Sequence, residues 1–288
     1  MIEILKAILF GIIEGITEWL PISSTGHMII LEEILDVKEV YSPEFWDLFL
    51  VVIQLGAIIA VVICFFNKLN PLFGKSLINP EEKKSKEEKK SIWILWAKVL
   101  VACIPAAVVG LVLDDFLEEH LYNSITVAIT LIVYGALFIG LEIWNKKRSF
   151  KVNSVNELSW TNALFIGLFQ LLALIPGTSR SGVTILGAML LLCNREVASE
   201  FSFFLSIPVM FGASLLKIVK FLISGNAIVL NEVIFLLVGC LVALLVSLLV
   251  IKFLMAFIKK HDFKPFGIYR IVLGILLLIL FACGVMTV

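Results

Sequence analysis

Charge is scarce in this sequence: Asp, Glu, Lys and Arg together make up 16% of 288 residues, and the two signs cancel to a net charge of zero. A balanced, charge-poor chain exerts no bulk attraction on nucleic acid, so no nucleic-acid partner is implied. Cysteine is also thin. Cys64, Cys103, Cys193, Cys240 and Cys283 stand singly in or beside apolar segments, without the pairing or spacing of a metal or redox motif, and read as small core residues. The N-terminal stretch lacks a small-residue cleavage site, and Glu3, Glu14 and Glu18 interrupt its apolar run, so it reads as mature structure rather than a signal peptide.

What the chain does have is hydrocarbon, with 60% hydrophobic residues and a mean hydropathy of +1.06, well outside the range of soluble domains. A spanning helix needs roughly 20 apolar residues. On that ruler six spans stand out, at about 47–66, 92–113, 125–145, 203–222, 232–257 and 266–286. Two further apolar stretches, 4–35 and 158–193, are broken by Pro, Gly, Ser and charge, and neither reads as a simple span.

Lys and Arg cluster at 67–91, 146–151 and 259–264, whereas the loops at 114–124 and 223–231 contain neither. The positive-inside rule places the first three loops in the cytoplasm and the other two outside. The Lys- and Glu-rich segment 80–91 reads as a solvated loop or short helix. Shifting the sequence on itself by 156 residues aligns Ala7 with Ala163, Gly11 with Gly167, Ser23 with Ser179, Gly26 with Gly182 and Gly56 with Gly212. With a different offset, IVYG at 132–135 matches IVLG at 271–274. One membrane domain over 1–288 therefore reads as two halves, 1–150 and 151–288, each a broken segment followed by three spans. An odd span count turns the second half upside down, and the expected architecture is an all-α integral membrane protein with an inverted-topology repeat: six transmembrane helices plus two re-entrant helix pairs. Irregular backbone at membrane depth survives only when buried in protein or lining a wet cavity, so the two broken segments are expected to meet near the midplane.

The first break runs from Gly11 to His27, GIIEGITEWLPISSTGH. Glu14 and Glu18, four apart, share a helix face with Cβ atoms about 5–6 Å from each other. Two buried carboxylates that close need a divalent cation, an Arg, or a shared proton. After Pro21, the hydroxyls of Ser23, Ser24 and Thr25 open the next helix, whose N-terminus suits an anion, with His27 one turn on. The second break, GLFQLLALIPGTSRSGVT over 167–184, puts Gln170 and Leu174 where the first has carboxylates, and Arg180 where the first has Ser24. A guanidinium at bilayer depth is costly unless it meets an anion, and its fork suits phosphate oxygens. Plainer readings stand beside these: the Glu pair as an ion or proton site of a transporter, the hydroxyls bonding carbonyls one turn back, or Arg180 as a structural partner of Glu14 or Glu18. His120 and His261 read as solvated, and Asp47, Lys98, Glu142 and Arg270 as span-end residues that snorkel.

At these residues the chain resembles the undecaprenyl-diphosphate phosphatase family, also called the bacitracin resistance protein family, over essentially its whole length. The resemblance is carried by Glu-x3-Glu leading into PxSSTGH, from Glu14 to His27, and by PGxSRSxxT, from Pro176 to Thr184. It implies hydrolysis of undecaprenyl diphosphate to the monophosphate, which recycles the lipid carrier for cell-wall synthesis and confers bacitracin resistance. It also implies a homodimer among membrane lipids in the bacterial cytoplasmic membrane, with the site open to the outer face. By motif, Glu14 and Glu18 hold a divalent cation, Mg²⁺ or Ca²⁺, or position the reacting group. Ser24 is nucleophile or phosphate ligand, and His27 is an acid, a base or an orienter. Ser179, Arg180 and Thr184 grip the diphosphate, with Ser23, Thr25 and Ser181 as lesser contacts. The competing function is a lipid or anion transporter or flippase, for which the same residues bind without cleaving.

Overall fold

The computed structural model describes residues 2–35, 37, 40–73, 83–121 and 123–284, without the side chains at 114–119 and 124. Much of the lysine-rich stretch read as cytoplasmic, at 74–82, and the side chains of the expected outer loop at 114–119 thus lie outside the described residues. Among those described, the chain is helical throughout and its one β feature is an isolated bridge between Val152 and Cys193. In chain order the helices are α1 (Ile2–Thr17), α2 (Ser24–Leu35), α3 (Pro43–Cys64), the single turn α4 (Phe66–Leu69), α5 (Lys86–Leu121), α6 (Ser124–Asn145), α7 (Trp160–Gln170), α8 (Arg180–Leu190), α9 (Arg195–Ile223), α10 (Leu230–Ile258) and α11 (Lys264–Ala282). Six of these, α3, α5, α6, α9, α10 and α11, are long and apolar enough to cross a membrane. Only 28% to 50% of each span is buried within the protein, so the remaining apolar surface faces outward, as a lipid solvent permits.

Local chemistry fixes where the spans begin. Ser42 accepts a hydrogen bond from the Phe45 N–H at 3.2 Å with Pro43 in the first helical position, and Asn123 and Asn194 accept from Thr126 and Val197, each at 2.8 Å. Such caps satisfy N–H groups that have no partner inside the helix.

The helices interlock. α1 packs along α10, α7 along α5, and α6 along α11. Small residues bring the backbones together, as is usual between membrane helices. A Cβ on Gly11 would lie 2.7 Å from the Gly239 oxygen, and one on Gly167 would lie 2.3 Å from the Ala102 oxygen. Between α6 and α11 the contacts come in a reciprocal pair, Gly135 against the Gly267 oxygen at 2.6 Å and Gly274 against the Ala128 oxygen at 2.7 Å.

Three snorkelling expectations fail. Glu142, 2% exposed, accepts two hydrogen bonds from Arg195 at 2.7 and 2.5 Å and one from the Phe263 N–H at 2.9 Å, so one carboxylate ties α6, α9 and α11 together. Lys98 is buried, with its ammonium 6.0 Å from the Trp160 ring. Arg270 is fully buried. Span-end position along the sequence did not reveal that neighbouring helices cover these groups. Asp47, by contrast, is exposed beside Lys217. The charged segment 80–91 is not solvated throughout either: it enters α5 at Lys86, and Lys84 is buried, donating to the carbonyls of Asn67 and Asn70.

Candidate functional site

Both broken segments stop for a covalent reason and restart with the same device. In the first, the helix loses its register after Thr17 and Pro21 cannot donate to a helical ladder. Glu18 still belongs to the last turn, because its N–H donates to the Glu14 carbonyl at 3.0 Å. In the second, α7 tightens into a 3₁₀ turn over Leu171–Leu174 before Pro176 and Gly177. Ser23 (φ 74°) and Ser179 (φ 71°) then reverse the chain in a region that L residues avoid, a conformation costing about 1–3 kcal/mol and concentrated at functional sites. Each of these serines caps the helix that follows. Ser23 Oγ accepts from the Gly26 N–H at 3.4 Å, and Ser179 Oγ accepts from the Gly182 N–H at 3.2 Å.

The two restarts meet through one carboxylate. Glu18, 7% exposed, receives the Arg180 Nη2 at 2.9 Å on one oxygen and the Ser24 hydroxyl at 2.9 Å on the other. Its backbone carbonyl accepts from the Ser181 hydroxyl at 3.1 Å. Arg180 also donates from Nη1 to the Ser202 carbonyl at 3.1 Å, while its Nε is buried with no partner. A hydroxyl, a carboxylate and a guanidinium from segments 162 residues apart thus form one chain. Trp19, fully buried next to Glu18, meets Phe203 edge to face at 5.2 Å and pins the break in place.

Other expected residues lie around this chain in distinct positions. Glu14 is 1% exposed, and its Oε1 has no hydrogen-bond partner. His27 donates from Nδ1 to the Ser23 carbonyl at 2.7 Å, since a carbonyl can only accept, and its Nε2 lies 2.7 Å from the Tyr269 hydroxyl. The two rings are parallel to within 2°. Thr25 sits half-buried in the first turn of α2, and the Ser179 and Ser181 hydroxyls lie 3.3 Å apart. Thr184 is fully buried, and its hydroxyl bonds the Arg180 carbonyl at 2.9 Å and the Ser202 hydroxyl at 2.7 Å, the one-turn-back bond open to any membrane hydroxyl.

Two residues escaped the sequence reading. Arg270 donates to the Pro21 carbonyl at 3.2 Å and to those of Gly177 and Thr178 at 3.0 Å each, so one side chain from α11 binds both breaks. The signal was there: an Arg about 6 Å inside the span read from 266, four residues at 1.5 Å each, needs partners at that depth. Tyr269 is half-exposed on the same helix and carried no signal of its own.

The donor set fits a divalent cation of the Mg²⁺ type, which is held by one or two carboxylates together with substrate phosphates. Glu14 offers an unpartnered oxygen for it. Among the described residues no group of three or more His, Cys, Asp or Glu encloses a metal, so the remaining ligands would come from substrate and water.

Comparison with known proteins shows the family. The model of the family described as bacitracin resistance protein BacA matches residues 7–276. The undecaprenyl-diphosphatase of Enterococcus faecalis is 57% identical over 273 residues, 95% of either chain. Its counterpart in Acetivibrio thermocellus is 55% identical over 281 residues, 98% of either chain. That of Lactiplantibacillus plantarum is 52% identical over 278 residues, covering 96% of this chain and 98% of the relative.

Proposed function

This chain belongs to the bacitracin resistance protein BacA family, and from that premise we propose that it hydrolyses undecaprenyl diphosphate to undecaprenyl phosphate and inorganic phosphate at the junction of its two broken segments. The observation that carries the reading is the chain Ser24, Glu18, Arg180, which joins a nucleophile, a base and an anion-binding fork. Hydrolysis recycles the lipid carrier and confers bacitracin resistance. The transporter reading is not favoured, because the relatives named as diphosphatases match nearly end to end.

In the mechanism we favour, Ser24 Oγ attacks the terminal phosphorus and its proton passes to Glu18 Oε2, the oxygen that it already bonds. The bond from that phosphorus to the bridging oxygen breaks, and undecaprenyl phosphate leaves. Water then cleaves the phosphoserine. Arg180 exchanges part of its contact with Glu18 for the transferring phosphoryl oxygens. Free N–H groups at the starts of α2 and α8 near Thr25 and Ser181 receive the remaining charge. Ser23, Ser179 and Thr184 hold the two turns in shape. His27, with its Nδ1 proton committed to Ser23, carries a lone pair at Nε2 that takes a proton from the attacking water once the Tyr269 hydroxyl yields its contact there.

Charge counting supports a cation. Arg180 already balances Glu18, and Arg270 is spent on carbonyls, so Glu14 and a diphosphate would bring uncompensated negative charge to a buried site. Glu14, with Glu18, would hold Mg²⁺ or Ca²⁺, which supplies that compensation when bound.

Several features support the inverted repeat of two halves with re-entrant pairs. The 156-residue offset superposes the α1–α2–α3 order on α7–α8–α9, the Ser23 and Ser179 turns match in φ, and the glycine contacts of α6 and α11 are reciprocal. The arginine- and lysine-free loops support a site open to the outer face of the bacterial cytoplasmic membrane. The homodimer rests on family resemblance alone.

The test is Ser24→Ala. Purified in micelles, it is expected to lose at least a hundredfold in phosphate release, and wild-type protein quenched in turnover is expected to carry phosphate on Ser24. Full activity in Ser24→Ala would transfer the attack to water.

A further inference from the structure

An apolar groove begins beside Arg270, the side chain that binds both breaks. A cleft of about 380 Å³ runs along α6 past Tyr134, Leu137, Gly140 and Trp144 and is closed on its other side by Phe169 of α7 and Leu186 of α8. Its upper end touches the site: the Arg270 guanidinium that holds both breaks lies 5.8 Å from the Tyr134 ring, within cation–π range. Its lower end, about 15 Å further along α6 at ten residues of 1.5 Å, is the exposed Trp144 ring with the Arg148 guanidinium 3.9 Å above it. Such aromatic and basic pairs mark a membrane–water boundary. Among the described residues, no ionisable group other than the Tyr134 phenol lines the groove between these ends.

Gly140 is the informative residue. Glycine weakens a helix interior by about 1 kcal/mol relative to alanine, and elsewhere on α6 that weakness has a packing reason, since a Cβ on Gly135 would lie 2.6 Å from the Gly267 oxygen. At Gly140 a Cβ would meet nothing within 4 Å. The absent side chain serves no helix contact; it keeps the groove wide.

We propose that this groove is the subsite for the first isoprene units of the lipid diphosphate, entered from the polar junction and followed down α6 toward Trp144. The proposal rests on the phosphatase reading above and adds where the substrate's chain lies: the head points to one face and the tail continues past the midplane toward the other. Filling the groove displaces methylenes that each contribute about 0.8 kcal/mol when buried, so a long-chain substrate is penalised. A single isoprene unit ends short of Gly140, which sits about 9 Å below Tyr134 at six residues of 1.5 Å.

The experiment measures kcat/KM for undecaprenyl diphosphate and for isopentenyl diphosphate with wild-type protein, Gly140→Leu, Leu137→Trp and Gly212→Leu. Gly212 also has open space around its Cβ position but lies on α9, away from the groove. Gly140→Leu and Leu137→Trp are expected to lower kcat/KM for undecaprenyl diphosphate at least tenfold, through KM, and Gly140→Leu, beyond the reach of one isoprene unit, is expected to leave isopentenyl diphosphate unchanged. Gly212→Leu is expected to change neither. Undiminished undecaprenyl kinetics in both groove variants would overturn the subsite, as would an equal loss on both substrates in Gly140→Leu. If wild-type protein cleaves neither substrate, the phosphatase reading itself fails, and the subsite with it.

Discussion

Replacing Arg180 by Ala is expected to reduce phosphate release from undecaprenyl diphosphate by about three orders of magnitude or more, the range over which a transition-state arginine acts in phosphoryl transfer. In this protein two of its nitrogens are already held, one by Glu18 and one by the Ser202 carbonyl, so the fork is fixed in place and needs only to exchange part of its Glu18 contact to meet the reacting phosphoryl group. The same substitution leaves the Glu18 carboxylate buried without its cation, and the loss of activity should therefore come with a lower unfolding temperature. Arg180→Lys is expected to recover little, because an ammonium cannot span Glu18, Ser202 and a phosphate together. The check is phosphate release by both variants in micelles beside their thermal unfolding. Activity within tenfold of wild type in Arg180→Ala would remove Arg180 from the chemistry.

Arg270→Met is expected to be nearly as damaging by a different route. Methionine keeps much of the length and apolar stem but removes every donor, and the carbonyls of Pro21, Gly177 and Thr178 lose a partner that non-helical backbone at that depth cannot replace. Each orphaned buried acceptor costs about 1–3 kcal/mol, which outweighs the desolvation relieved by deleting the charge. The two breaks then drift apart, and Ser24 and Arg180 lose their alignment on Glu18. At least a hundredfold loss of phosphate release is expected, together with a clear fall in unfolding temperature. Arg270 touches no reacting atom in this account, so it is a positioning residue. Arg270→Lys, which keeps one charge-assisted donor, is expected to regain part of both readouts together. A variant that stays fully stable while losing all activity would instead put Arg270 against the substrate.

The contrast between these two arginines shows what the sequence made legible. Spans are legible because a membrane enforces a length and an apolar composition, and the breaks because Pro21, Pro176 and Gly177 cannot be hidden in a helix. Arg180 was readable from its depth and its motif, and the 156-residue offset pointed to the meeting of the breaks. Which carboxylate it pairs with was not: Glu14 and Glu18 share a helix face, and only the approach of the second break to the first gives Glu18 the guanidinium and leaves Glu14 Oε1 without a hydrogen bond. Arg270 was misread because distance from a span end was measured along one helix, whereas its burial comes from Pro21, 249 residues away, and from the second break. Glu142 failed for the same reason, with partners on α9 and at the start of α11. Long-range contact, more than composition or periodicity, is what a single sequence conceals.

The most direct test is phosphate release from undecaprenyl diphosphate by the purified wild-type protein in detergent micelles, where no second compartment exists, with Mg²⁺ or Ca²⁺ and after chelation. The expected result is steady release that stops on chelation and returns when the cation is restored. Folded protein that binds the lipid diphosphate but releases no phosphate with either cation would contradict the account and leave the same residues as a binding site without chemistry.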